Sequence, residues 1–300
     1  VTGADGFVGT GLLPRLRRDG HELRANQRRS GGLAVGPIAD WSGLLEGIDV
    51  VIHLAARVHV TRDDSGDPLA AFRHVNVDGT ARLAAQAEAA GVRRFMLLSS
   101  VKAATETSYG RKRVESDPDE PRTPYGISKR EGELALAAEA RRMDTVVLRP
   151  PLVYGPGVGA NFRGLLRLID SGLPLPLASV RNARSLIARD NLADAIAVAV
   201  SAPALAGRTF YVADGPSLST PDLIRALAAA LERPARLFRF PVGLLKVAAE
   251  LAGRAEAAES LLGSLEIDDG AFRSVTGWTP PLDQHAGFRL VAQWWRGLRP

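Results

Sequence analysis

Tyr125-Gly126-Ile127-Ser128-Lys129 sets a phenol and an ammonium four residues apart, which on a helix places them one above the other on a single face. A free phenol titrates near about 10 and is a poor base at neutrality. A neighbouring cation favours the phenolate and lowers that value. Such a pair suits proton exchange with a hydroxyl or carbonyl oxygen while hydride moves at the attached carbon. Lysine occurs only four times in the chain, at 102, 112, 129 and 246, against abundant arginine, so its use at this spacing stands out. Ser99 and Ser100 close an apolar run that starts at Arg94. A hydroxyl at the carboxyl end of a strand can hydrogen-bond a substrate oxygen as charge develops on it, although serine at a strand end is also a common turn former. Asn76 is a polar residue in a mostly apolar helical stretch. It fits either the same network or a buried amide bonded to backbone.

A second cluster lies at the start of the chain. Gly3-Ala4-Asp5-Gly6-Phe7-Val8-Gly9 spaces its glycines by three and three and opens a helix near Phe7. Glycine lets the backbone turn sharply and approach a pyrophosphate, whose charge then meets the positive helix N-terminus. The last glycine permits close packing of helix on strand. Ordinary turns collect glycine too, so the strand–turn–helix context carries the dinucleotide reading. The next strand, expected over His21–Asn26, should end near the adenosine ribose, where an acid would hold a 2′-hydroxyl and an arginine would suit a 2′-phosphate. The residues there are Gln27, Arg28 and Arg29, with no acid. NADP(H) is therefore expected over NAD(H), the alternative being that these arginines are solvated loop charge.

These groups need a sheet to position them. Short β-branched runs at Val50–Leu54, Arg94–Ser99, Thr145–Arg149 and Thr209–Ala213 alternate with helical stretches at Val8–Arg18, Ala70–Ala90, Pro124–Arg142 and Asn191–Val200. That alternation is the pattern of a parallel sheet covered by helices. Val1-Thr2 runs directly into the glycines, so the first strand is expected to be entered near its end, with residues upstream. From about Gly155 proline and glycine become frequent, and short helices follow near Thr220–Leu231 and Val242–Leu251. The expected fold is α/β, a Rossmann-type doubly wound parallel sheet with a smaller C-terminal substrate-binding lobe. Residues 1–155 would form the dinucleotide-binding domain, with return elements near 180–215, and residues 156–300 mainly the lobe.

Composition excludes several classes. The 300 residues are 46% hydrophobic and 24% charged, with a net charge of +5, ordinary for a globular protein. Arginines such as Arg15, Arg17 and Arg18 fall among leucines at helical spacing, as solvated faces rather than a nucleic-acid footprint. No apolar run approaches the roughly 18 residues of a membrane span, and no secretory start is visible. There are no cysteines, so disulfides and thiolate metal sites are excluded and a reducing, cytoplasmic setting is expected. The five histidines are scattered; His53, in an apolar strand, suits the core better than a metal. No phosphate-loop, zincin or hydrolase-elbow motif occurs.

The run from Gly3 to Gly9, His53-Leu54-Ala55-Ala56, Asn76-Val77-Asp78-Gly79-Thr80, Leu98-Ser99-Ser100, Tyr125 to Lys129 and Arg149-Pro150-Pro151-Leu152-Val153-Tyr154-Gly155-Pro156 occur in that order. Over about two hundred residues the chain thereby resembles the extended short-chain dehydrogenase/reductase family. The resemblance implies Tyr125 as acid/base, Lys129 lowering its pKa and contacting the nicotinamide ribose, Ser100 polarising the reacting oxygen, and Asn76 in the supporting network. It implies a cofactor groove from Gly3, Gly6, Phe7, Val8, Gly9, Leu54, Ala55, Ala56, Ser99 and Pro151, and a homodimer through the helices carrying Asn76 and Tyr125. Within the family the chain looks like nucleotide-sugar epimerases and 4-ketoreductases of surface-polysaccharide synthesis. That likeness assigns Lys102, Asn161 and Arg184 to the substrate, Arg184 at its diphosphate. Leu152 and Pro37 depart from it, standing where some relatives carry asparagine and an acid. Arg28 and Arg29 favour NADPH-dependent reduction of a UDP-linked 4-keto-6-deoxy-N-acetylhexosamine. The alternatives are a UDP-hexose or UDP-N-acetylhexosamine 4-epimerase holding NAD, and a non-catalytic NADP sensor.

Overall fold

The computed structural model describes the chain except residues 59–65, 109, 254 and 299–300, and gives residues 255–257 as backbone alone; His59 thus lies outside the described residues. In chain order the elements are α1 (Phe7–Arg18), α2 (Ser42–Leu45), β1 (Val50–His53), α3 (Pro68–Arg73), α4 (Gly79–Ala89), β2 (Arg94–Leu98), α5 (Pro124–Glu139) and β3 (Asp144–Arg149). There follow β4 (Leu152–Tyr154), α6 (Ala160–Asp170), β5 (Leu186–Ala188), α7 (Arg189–Ser201), β6 (Arg208–Tyr211), α8 (Thr220–Ala230), α9 (Val242–Leu251), α10 (Ala255–Leu262), α11 (Gly270–Thr276) and α12 (Gln284–Gly297).

The main sheet runs β1-β2-β3-β6, all parallel. Thr2 bridges His53 on one side and Asn26 on the other, extending the sheet outward by two segments. The expected strand over His21–Asn26 is thus an extended segment paired only at Asn26. The alternation within the strands decides which helices cover which face. Val51, Phe95, Leu97 and Val147 pack with Leu83, Ala84, Ala87 and Leu136 of α4 and α5. Ile52, Met96, Val146 and Leu148 pack with Leu12 and Leu16 of α1 and Leu192 and Ile196 of α7. Helices on both faces make the sheet doubly wound. A further core joins Phe162, Leu165 and Ile169 of α6 to Ile224 and Leu227 of α8 and Phe288 and Val291 of α12.

The helical stretch expected over Ala70–Ala90 is divided. Between α3 and α4, residues His74–Asp78 form one π-helical turn, the kind of local widening that recurs at functional sites. The helix expected to reach Arg142 ends at Glu139, because the chain must straighten there to enter β3.

A buried ion cluster fastens α5 to β3. Arg149 Nε donates to Glu133 Oε1 at 2.9 Å and Nη2 to Oε2 at 2.5 Å, while Asp119 receives Nη1 and Nη2 at 2.8 Å each. Arg130 also reaches Glu133 and Asp119. Burial pulls the Arg149 guanidinium toward losing its proton, but Glu133 and then Asp119 outweigh it, and the group is held above its ordinary range. Removing one partner of such a pair costs roughly 3–5 kcal/mol, because the other charge is left buried and bare, whereas an apolar pair of similar size can be near neutral. Arg149→Met is therefore expected to lower unfolding free energy by about that amount, and Arg149→Met with Glu133→Leu to recover most of it. Urea titration of the two variants checks this; equal losses would show that charge pairing is not what fastens the helix.

Candidate active site

The carboxyl ends of β1, β2 and β3 and the start of α5 converge on one cleft. Thr123 caps α5 by accepting from Gly126 N at 3.1 Å, Pro124 fills the first turn, and Glu106 receives the N–H groups of Arg122 and Thr123 and the Thr123 hydroxyl. That cap fixes where Tyr125 emerges. The side chain of Ser100 acts on the Tyr125 hydroxyl to favour its phenolate, and Ser100 Oγ accepts from Lys102 N at 3.2 Å. The Tyr125 ring meets Phe72 edge to face at 5.9 Å.

Lys129 lies one turn further along, buried, with Nζ donating to Leu98 O at 2.8 Å. Burial lowers its pKa to about 8, opposed by the Glu133 carboxylate. Tyr125 differs from the sequence expectation of a lowered value. Burial pushes it up to about 12, with the Ser100 side chain pulling the other way. The lysine cation is directed at a strand carbonyl rather than at the phenol, so Tyr125 stands as a neutral phenol, the proton-donating form. Spacing placed the two on one face; the direction of Nζ is set by the sheet.

Asn76 sits in the π-turn and is fully engaged. Its Oδ1 accepts from Arg57 N at 2.8 Å, and its Nδ2 donates to Arg57 O and to Ser128 Oγ, each at 3.0 Å. Ser128 in turn donates to Tyr125 O at 2.8 Å. A Cβ on Gly132 would lie 2.3 Å from Asn76 O, so glycine there lets α5 lie directly on the π-turn. Behind it, His53 Nδ1 lies 2.6 Å from Thr2 Oγ1 and Nε2 lies 3.2 Å from Thr80 Oγ1, which donates to Asn76 O at 2.8 Å. Since the Thr80 proton is used, the chain of bonds requires His53 to carry its proton on Nε2.

The glycine run forms a cradle suited to a dinucleotide. Gly3 has φ +65°, and a Cβ there would stand 2.7 Å from Ala55 N; one on Gly9 would stand 2.5 Å from Gly3 O. The run therefore packs against Leu54-Ala55 as the groove reading requires. α1 starts at Gly6 with no side-chain cap and no acid in its first turn, leaving its N–H groups and dipole directed at the opening. Ser99 contributes a buried Oγ without a partner. Ala56 is half-buried beside them and Pro151 is buried. Phe7 faces the Arg189 guanidinium, 5.8 Å from its ring centre, and Val8 packs on the core beneath the sheet. Arg28 and Arg29 project from a single 3-10 turn with exposed side chains, and Arg29 N donates to Asp5 Oδ2 at 2.8 Å.

Of the residues expected at the substrate, Lys102 lies in the short turn after Ser100. Asn161 is exposed in the first turn of α6, which lacks a side-chain cap. Arg184 is half-buried, with Nη1 donating to Gly263 O at 3.0 Å; burial lowers its pKa and Glu259 opposes this. Its partner in this geometry is a carbonyl in the lobe. Phe72, Arg57, Ser128 and the Glu133–Arg149 pair went unread in the sequence. Glu133 carried a signal, standing four residues after Lys129 on the same helical face.

Residues 1–213 match the NAD dependent epimerase/dehydratase family, and the chain belongs to that family, an NAD-dependent epimerase or oxidoreductase of the extended short-chain dehydrogenase/reductase type. A Vibrio cholerae protein named UDP-glucose 4-epimerase is 38% identical over 307 residues, covering 98% of this chain and 94% of that protein. Among solved structures, UDP-glucose 4-epimerase of Thermotoga maritima, with UDP-glucose, superposes at a TM-score of 0.76 with 19% identity over 99% of this chain and 97% of that one. MoeE5 in complex with UDP-glucose and NAD gives 0.78 and 23% over 99% and 97%. These two likenesses establish the fold.

Burial lowers the His53 pKa to about 3, with the Lys129 cation adding to it, against about 6.5 when unfolded. A depressed value means the unfolded chain binds the proton first. Its contribution is complete above about 6.5 and is lost as pH falls toward 3, at up to about 1.4 kcal/mol per pH unit. His53→Asn is expected to remove that component, so the difference in unfolding free energy between pH 7 and pH 5 shrinks. An unchanged difference in urea titrations would place the acid sensitivity elsewhere.

Proposed function

We propose that this protein is a nucleotide-sugar 4-epimerase acting on UDP-hexoses or UDP-N-acetylhexosamines with a tightly held NAD. The observation that carries the reading is the glycine cradle at Gly3–Gly9 packed on Leu54-Ala55, with Lys129 buried one turn after Tyr125, in a chain 38% identical along nearly its whole length to a UDP-glucose 4-epimerase. Bound in the cradle, NAD would supply the acceptor and later the donor of one hydride. Tyr125 must first release its own phenol proton to solvent; as the phenolate it would take the proton of the C4 hydroxyl as that carbon is oxidised, and return it to the oxygen when the carbon is reduced from the other face. Ser100 would hold the same oxygen through its hydroxyl, and Lys129, one turn after Tyr125, would contact the sugar next to the nicotinamide of a bound NAD. Asn161 and Arg184 are assigned to the UDP portion, the latter after its side chain turns from Gly263.

The NADPH-dependent 4-ketoreductase reading rests on Arg28 and Arg29 and keeps their exposed charge in its favour. Against it, the Asp5 carboxylate sits beside these arginines, held below its ordinary pKa by the Arg29 N–H. A standing negative charge there offsets the attraction for an extra phosphate. A cytoplasmic location, where dinucleotides and nucleotide sugars are supplied, goes with either reaction.

Nucleotide released by heat from the purified protein is expected to be NAD at near one per chain. UDP-glucose and UDP-galactose, or their N-acetylated counterparts, should interconvert without added dinucleotide, and Tyr125→Phe should lower kcat by roughly a hundred- to ten-thousand-fold. Release of NADP, with NADPH-dependent reduction of a 4-keto sugar and no interconversion, would replace the epimerase by the reductase. A Tyr125→Phe protein that keeps its cellular role would favour the sensor.

A homodimer through the helical stretch carrying Asn76 and through α5, which carries Tyr125, belongs to the same proposal, and Leu134 of α5 is an exposed apolar side chain. Light scattering at micromolar concentration should give twice the chain mass; a monomer would remove it.

A further inference from the structure

Helix α9 is apolar on two sides. Its inner side, Val242 and Leu245, packs on the core shared by α6, α8 and α12. Its outer side carries Leu244, Val247 and Leu251, which are 57%, 52% and 86% exposed. With Ala248, also exposed, they repeat at i, i+3, i+4 and i+7, a continuous stripe along one face. Phe238, three residues before the helix-leading Pro241, and Leu173 are exposed as well. The two are neighbours through the backbone, since Leu175 bridges Leu237 and Phe238 N donates to Leu175 O at 3.0 Å.

Cations stand elsewhere on the same helix and in the segment leading to it. Arg236, Arg239 and Lys246 are exposed, and among the described residues none of their side chains engages a carboxylate, as the arginines of the nearby Arg233–Asp170 and Arg296–Glu232 pairs do. Glu250 is the one acid on α9 itself. An outward apolar stripe accompanied by unpaired cations is the pattern of a helix that lies in the headgroup region of an anionic bilayer, apolar side down and basic groups on the lipid phosphates. A helix exposed to water alone would gain nothing from four apolar side chains on its outer face.

We propose that α9 and the adjoining Arg236–Phe238 segment form a docking surface for an anionic phospholipid bilayer, holding the lobe end of the molecule at the membrane face. This goes beyond the epimerase reading and does not depend on which sugar is turned over.

The test is co-sedimentation of the full chain with vesicles of phosphatidylcholine carrying a minority of phosphatidylglycerol. The protein should pellet with these, and at least about tenfold less with pure phosphatidylcholine or in high salt, where surface attraction is screened. The Leu244→Ser, Val247→Ser, Leu251→Ser triple variant should lose binding at least about tenfold while keeping turnover of soluble substrate. Should that variant fold poorly, Arg236→Glu, Arg239→Glu, Lys246→Glu alters only exposed side chains and should lose binding equally. No pelleting of the wild-type chain, or undiminished pelleting of either variant, would overturn the proposal. So would a self-associated species in light scattering that the triple variant disperses in the absence of vesicle binding, since the stripe would then cover a second copy.

Discussion

Tyr125 and Lys129 depend on how α5 is seated, and α5 is seated by charge. A helix that carried only its apolar residues to the sheet would be free to slide or roll by a fraction of a turn, since dispersion and burial are weakly directional. The Arg149 fork on Glu133, completed by Asp119, has one geometry. It spans the last residue of β3 and the helix turn directly after Lys129. The same carboxylate supports the ammonium of Lys129 against a burial that otherwise works to discharge it. One interaction therefore fixes the helix, and with it both the position and the charge of the lysine.

The other face of α5 is held by close backbone approach. Gly132 rests against Asn76 O, and Asn76 joins the Arg57 backbone to Ser128. The π-turn at His74–Asp78 turns the Asn76 amide to meet three partners at once. This arrangement satisfies a buried amide completely, which a buried polar group requires, and it ties the start of the catalytic helix to the end of β1. Thr2, His53 and Thr80 extend that tie under the glycine cradle, so the cradle and the segment carrying Tyr125 share one bonded frame.

The lobe is built on a different plan. Its core is apolar, and it is tied back to the sheet part of the chain through Ser108–Ser264, Arg113–Glu266, Asn191–Leu282 and Trp278–Asp194 hydrogen bonds. Its outer helix leaves apolar surface in water.

The parallel sheet and the grouping of the candidate site residues were legible in the sequence because their signals are local. A helical spacing of four brings Tyr125 and Lys129 together, glycines at Gly3, Gly6 and Gly9 mark a turn, and apolar runs of four to six residues mark strands. The order of the family motifs did the rest. The π-turn, the upward shift of the Tyr125 pKa and the lodging of Arg184 on Gly263 were not legible. Each depends on which groups distant in the chain come within a few ångströms, and on how much water they lose there. The choice of cofactor shows the difference most plainly. Arg28 and Arg29 alone argued for an extra phosphate, and only the fold brings the Asp5 carboxylate to their turn, because the glycine loop and the second extended segment meet across the sheet edge at Thr2 and Asn26.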